Sequence, residues 1–105
     1  MHNATNCVNA NKATSRRANH AYVIKDGNGN VLKYGISSGR ISAAGLSYRA
    51  TRQVNKFNKN NPGLNAHAQV VAHFPNRSRA LKWELAVTQS HINQFGGRPP
   101  FMQRP

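Results

Sequence analysis

A chain of 105 residues, 38% of them hydrophobic, is enough for one small domain with a modest core and excludes a multidomain enzyme. With 15 Lys and Arg against 2 Asp and Glu, a formal charge of +13, the chain repels itself, so neutralisation must come from a polyanionic partner rather than from internal salt bridges: nucleic acid first, through counterion release, and an acidic protein second. No stretch has the length or apolarity of a membrane span, the single Cys7 excludes an internal disulfide framework, and the opening residues lack the apolar segment of a secretory signal, which predicts a cytosolic chain or a piece of a longer one.

Residues 1 to 19 are rich in Asn, Thr, Ala and Ser. They offer too little apolar surface to offset the entropy of ordering and are expected to be a flexible lead-in to a domain over residues 20 to 105. Two β-rich runs follow, Tyr22 to Ile24 and Val31 to Ile36, around "DGNGN". Gly and Asn tolerate positive φ, so this reads as a hairpin, with Asp26 an ordinary turn residue. "SSGRISAAG" is a loop and carries Arg40. Leu46, Ala50, Val54 and Phe57 then recur at helical spacing until "NNPG" stops the helix. Advancing about 100° per residue, Arg49, Arg52 and Lys56 fall on one edge of that apolar stripe and form a basic ridge. "AHAQVVAHF" predicts a third strand closed by Pro75, with His67 and His73 at even spacing and hence on one face. A second helix is capped by Asn76 or Ser78 and runs to about Ile92. Past it, "GGRPPFMQRP" is an extended arm, packed on the domain or reaching toward a partner. There are no internal repeats. Hairpin, helix, strand and helix make a small α+β sandwich of one three-stranded antiparallel sheet with flanking helices.

The second helix contains one of the two acids, Glu84. Leu81, Leu85 and Ile92, with Thr88 between them, form its apolar stripe. Arg79, Lys82, Gln89 and Ser90 lie opposite, and Glu84 sits on the inner arc with Ala80, Val87 and His91. A carboxylate half-turned toward a core is costly unless it is paired or coordinates a metal. One reading is a salt bridge to an arginine such as Arg77 or Arg49. The other is a ligand for a divalent ion that also contacts phosphate. Mg²⁺ suits it, because Mg²⁺ keeps most of its waters and takes one or two carboxylates plus substrate oxygens. A two-metal nuclease needs more carboxylates than this chain supplies.

Tyr22 in a hairpin, "KYGIS" on the next strand, arginines on a helix and a glutamate inside a later helix resemble, in that order, the GIY-YIG nuclease superfamily and more narrowly its small toxin-domain branch, over residues 20 to 93. The resemblance implies that Tyr22 is the tyrosine of the first motif, preceded by "HA" where "GI" is usual. It matches the family arginine to Arg49, with Arg52 next, the metal-binding glutamate to Glu84 and a late asparagine to Asn93. The second motif departs from the pattern: with Gly35 as its glycine, Lys33 takes the tyrosine position and Tyr34 the middle one. Neighbouring strand residues point to opposite faces, so only one of Lys33 and Tyr34 can share a site with Tyr22.

The implied activity is a metal-dependent endonuclease, DNA favoured over RNA, with one Mg²⁺ on Glu84. Tyr22 would orient or deprotonate the attacking water, its pKa lowered by neighbouring cations. Arg49 would stabilise charge on the phosphorane. Arg40, Arg52, Lys56 and Arg77 would hold the nucleic-acid backbone. The family also implies a toxin, secreted or delivered as part of a larger protein to act in the target-cell cytoplasm, and an acidic immunity protein that plugs the site or covers the ridge. Two rivals need no metal: a ribonuclease built on His20, His67, His73 or His91 with Lys or Arg, and a non-enzymatic basic nucleic-acid-binding module. Chelator-sensitive cleavage, chelator-insensitive RNA cleavage and binding without cleavage separate the three.

Overall fold

In the computed structural model of the chain, which describes residues 18–102, three strands and two helices follow in the order β1 (Asn19–Lys25), β2 (Val31–Ser37), α1 (Tyr48–Asn60), β3 (His67–Phe74) and α2 (Arg77–Phe95). The strands form one antiparallel sheet in the order β2-β1-β3, the expected α+β arrangement. Most of the lead-in, and Cys7 with it, lies outside the described residues; Asn19, its last residue, already opens β1.

The hairpin forms where the turn residues predict it. Asp26 Oδ1 accepts from the backbone N–H groups of Asn28 and Asn30 at 2.9 and 3.0 Å, and Gly29 takes φ +86°, a conformation that costs glycine little. Those hydrogen bonds hold the exposed Asp26 carboxyl below its ordinary range.

β1 is buried on both faces from Asn19 to Ile24, as a central strand must be when helices cover the two sides of its sheet. Tyr22, Ile24 and Leu32 pack with Ala50 of α1, joined by Val54 and Phe57. Ala21 and Ile36 pack with Ala80 of α2, joined by Phe74, Leu81 and Trp83. Alternation along β1 therefore sends even-numbered residues to α1 and odd-numbered ones to α2.

β3 serves both helices. Tyr22 pairs with Val70 but Ala21 pairs with Ala72, so Val71 is an extra residue in the ladder, a β-bulge that exchanges the faces on either side of it. Ala68 thus joins the α1 side while Ala72 and Phe74 join the α2 side. His67 pairs with Lys25 and His73 with His20, which places the two histidines on opposite faces. The even spacing predicted one face; an unbroken ladder was the missing condition.

Local chemistry fixes the helix ends. Ser47 caps α1, its Oγ accepting from the backbone N–H of Ala50 at 3.2 Å. Leu46 therefore precedes the helix and is half exposed, rather than starting the apolar stripe. Asn76 caps α2, accepting from the Arg79 N–H at 3.0 Å. That helix runs past Ile92 to Phe95, where Gly96 (φ +82°) ends it in the left-handed region. Its buried residues are Ala80 and Thr88, and Leu85 is 58% exposed, so small side chains rather than the predicted leucine seat make the close approach. The Gly/Pro-rich arm packs on the domain: Pro99 and Met102 are buried, and the Phe101 ring meets Phe57 edge-on at 4.7 Å.

Candidate active site

Pairing across the hairpin sets Tyr22 opposite Gly35 and Ile24 opposite Lys33, so Tyr22, Lys33 and Gly35 share a face. The Tyr22 ring lies over the glycine. A Cβ on Gly35 would stand 2.6 Å from Tyr22 Cε1 and closer still to Cζ and the hydroxyl oxygen, distances no side chain accepts. Glycine is needed in "KYGIS" to let a buried tyrosine lie across the neighbouring strand.

Because β2 is an edge strand, side chains from α1 on one face and α2 on the other can meet beside it. They do so in a cleft of about 360 Å³ lined by Tyr22 of β1, Lys33 and Ile36 of β2, Arg49 of α1 and Arg77 and Glu84 of α2. Of the two candidates in the second motif, Lys33 lines this cleft. Tyr34 turns away and packs edge-on against Trp83 and His91, both at 6.0 Å between ring centroids.

Burial decides the electrostatics. The Tyr22 hydroxyl donates to Gln53 Oε1 at 2.8 Å. Its pKa is raised, burial outweighing the pull of Arg49 and of the hydrogen bonds, and Glu84 pushes in the same direction as burial. The expectation that neighbouring cations lower this pKa is therefore reversed. Lys33 moves down, through burial and then repulsion by Arg49, against the opposing pull of Glu84. Glu84 moves up: burial outweighs the combined attraction of Lys33, Arg77 and Arg49. Glu84 thus sits among three cations at a place where burial outweighs their attraction. Arg77 Nε is buried with no hydrogen-bond partner among the described residues.

Gln53 was absent from the sequence-based candidates. It lies one turn beyond Arg49 on α1, at i+4 and so on the same side of the helix, and that relation to Arg49 was the one signal available.

The remaining candidates disperse. Arg40 and Arg52 line a second hollow that shares Arg49 with the cleft. Lys56 is exposed farther along α1 and lines neither. Asn93 is exposed and accepts from Gln89 Nε2 at 3.0 Å. None of the four histidines lines the cleft. His20 is buried with Nε2 2.7 Å from Ser47 Oγ, and burial with repulsion from His73 lowers its pKa. His91 packs between Tyr34 and Phe95.

Among the described residues, no group of three or more His, Cys, Asp or Glu could hold a metal ion. The donor set in the cleft is one carboxylate. It fits an ion that keeps most of its water and takes its other ligands from a phosphate, which describes Mg²⁺ and excludes an all-protein cage of the zinc type.

Among the described residues, no helix is long and apolar enough to cross a membrane. Neither the curated proteins nor the solved structures give a match to this chain. A family match does exist, to the URI fold toxin 2 family over residues 11–92, and the matched span takes in every polar residue lining the cleft. A match across most of the chain carries membership with it: this protein belongs to the URI fold toxin 2 family and is a toxin domain.

Proposed function

We propose that the toxin domain is a GIY-YIG-type endonuclease that hydrolyses phosphodiester bonds in the cleft between the hairpin and the two helices, with DNA favoured over RNA. The observation that carries this reading is the convergence of Tyr22, Lys33, Arg49 and Glu84, from four separate elements, on one open cleft. Three cations and a half-buried carboxylate make a poor core and a good phosphate site.

Glu84 would hold one Mg²⁺, which, when bound, supplies Lewis-acid polarisation of the phosphate and of the leaving oxygen. The domain's own side chains do the rest. Arg49 and Arg77 bring guanidinium groups to the nonbridging oxygens, where charge builds in the transition state. Tyr22, its proton committed to Gln53, turns its lone pairs toward the cleft and orients the attacking water. With its pKa raised, it stays protonated near neutral pH and positions rather than deprotonates. Lys33 lines the same cleft and adds its ammonium charge to those of Arg49 and Arg77 around the phosphate.

The three cations around Glu84 would disfavour a bare dication and favour one that arrives with its charge offset by substrate phosphate. A charge of +13 suits an acidic immunity protein covering cleft and ridge, and the family's toxin character suits delivery within a larger protein to a target-cell cytoplasm. The test is incubation of the domain with supercoiled plasmid DNA and with total RNA, with Mg²⁺ and with chelator. Chelator-sensitive nicking of DNA is expected. Chelator-insensitive RNA cleavage, or binding without cleavage, overturns the reading.

A further inference from the structure

Next to the cleft lies the second hollow, about 420 Å³, lined by Ser37, Ser38, Arg40, Tyr48, Arg49 and Arg52. Its wall is the loop from β2 to α1, pinned shut at several points. Ile41 bridges Ser47, the Tyr48 N–H donates to Arg40 O at 3.2 Å, the Ser42 N–H donates to Leu46 O at 2.7 Å, and the Gly39 N–H donates to Ser37 Oγ at 2.9 Å. The loop therefore holds Arg40 in place against the first turn of α1.

Tyr48 opens α1 at the edge of this hollow. It is 53% exposed. The ring contacts among the described residues involve other aromatic side chains, and the helix cap is supplied by Ser47. Arg52 follows it at i+4, on the same side of the helix. The hollow contains no carboxylate: the chain's two acids are Asp26, committed to the hairpin turn, and Glu84, in the neighbouring cleft. Arg40 and Arg52, beside this exposed ring, thus find no carboxylate in the hollow, and the anion they match must come from outside. An exposed ring flanked by arginines is the arrangement that stacks a nucleobase while holding its phosphate. Inside an intact duplex both faces of each base are covered by its neighbours, so such a ring can be used only by an unstacked base.

We propose that this hollow is a nucleotide subsite adjoining the scissile phosphate, in which an unpaired base stacks on Tyr48 and its phosphate lies against Arg40 and Arg52. The substrate is then an unpaired or locally opened strand rather than intact duplex. This assignment rests on the nuclease reading of the cleft, but it is tested by binding, which needs no cleavage.

The experiment is fluorescence anisotropy in chelator, with a labelled single-stranded DNA, an RNA of the same sequence and the corresponding DNA duplex. Tyr48→Leu is expected to weaken single-strand binding about five- to a hundredfold and leave duplex binding unchanged, while Tyr48→Phe behaves as wild type. Loss on only one of the two single strands supports the subsite and identifies its sugar. Equal loss on single strand and duplex, or no loss at all, overturns it. An unshifted melting curve for Tyr48→Leu, expected from its exposure, excludes misfolding; Arg52→Ala, which should lower the salt slope by about one unit, gives a second readout if the leucine variant unfolds. A domain that cuts nothing refutes the nuclease reading and leaves these binding results standing.

Discussion

The hairpin carries two tyrosines on neighbouring strands, and the two faces of the sheet have used them differently. On the α1 side Tyr22 is 1% exposed, yet its hydroxyl reaches a polar partner thirty-one residues away in sequence and sits among Arg49, Lys33 and Glu84. On the α2 side Tyr34 is half-buried in a ring cluster with Trp83 and His91. Burial raises the pKa of both, but only Tyr22 has charged neighbours acting on it. The difference shows that a tyrosine's chemistry here is set by which face its strand position addresses, and by whether an edge leaves that face open to side chains from both helices.

The sharpest way to break the comparison is Glu84→Gln. The substitution keeps shape and removes charge, so cleavage should fall by several orders of magnitude, while the melting temperature holds or rises because a buried charge has gone. The opposite pair, a protein destabilised by about 3–5 kcal/mol that still cuts, identifies Glu84 as half of a structural ion pair. Gly35→Ala comes next. The methyl group must displace the Tyr22 ring, costing about 1–3 kcal/mol by urea denaturation and abolishing cleavage; an active, fully stable variant would mean that Tyr22 has no fixed place in the reaction. Lys33→Ala and Tyr34→Leu then compare the faces directly. The first should lose activity with little change in stability, and the second should lose about 1–2 kcal/mol and keep its activity when folded. Activity and stability tracking together in both variants would erase the distinction.

The smallest effect belongs to His20. Its pKa in the folded protein lies below its ordinary value, so the unfolded chain binds the proton more readily and stability falls as pH drops. The groups facing it are Ser47 from α1, Tyr22 on its own strand and His73 from β3. Its contribution is complete above about pH 6.5 and is lost as pH falls toward the folded value. His20→Gln should flatten that part of the melting-temperature profile, and an unchanged slope would place the titration elsewhere.

Much of the fold was legible because its signals are local. "DGNGN" names its own turn, and Asn76, one of two cap candidates, sits beside the helix it begins. Glu84 stood out because almost every other charge in the chain is positive. What stayed hidden depends on partners far away in sequence. Gln53 carries no mark of its bond to Tyr22, Leu46 and Leu85 have core-like spacing at positions no neighbour covers, and His67 and His73 are separated by a bulge that alternation cannot register. The Tyr22 pKa followed the same rule: its cationic neighbours were visible in the sequence, but its burial was not.

The C-terminal arm has a consequence for synthesis. Phe101 donates its backbone N–H to Leu32 O at 2.9 Å and covers Phe57, while Met102 Sδ accepts from Thr88 Oγ1 at 3.5 Å. Residues near the end of the described chain thus tie together β2, α1 and α2, all of which leave the ribosome earlier. Until that last segment emerges, Leu32 and Phe57 lack their outer cover, and the scaffold that aligns Arg49 with Glu84 lacks the tie that spans its three parts. For a toxic domain, this makes completion of the fold wait on the arm that follows α2.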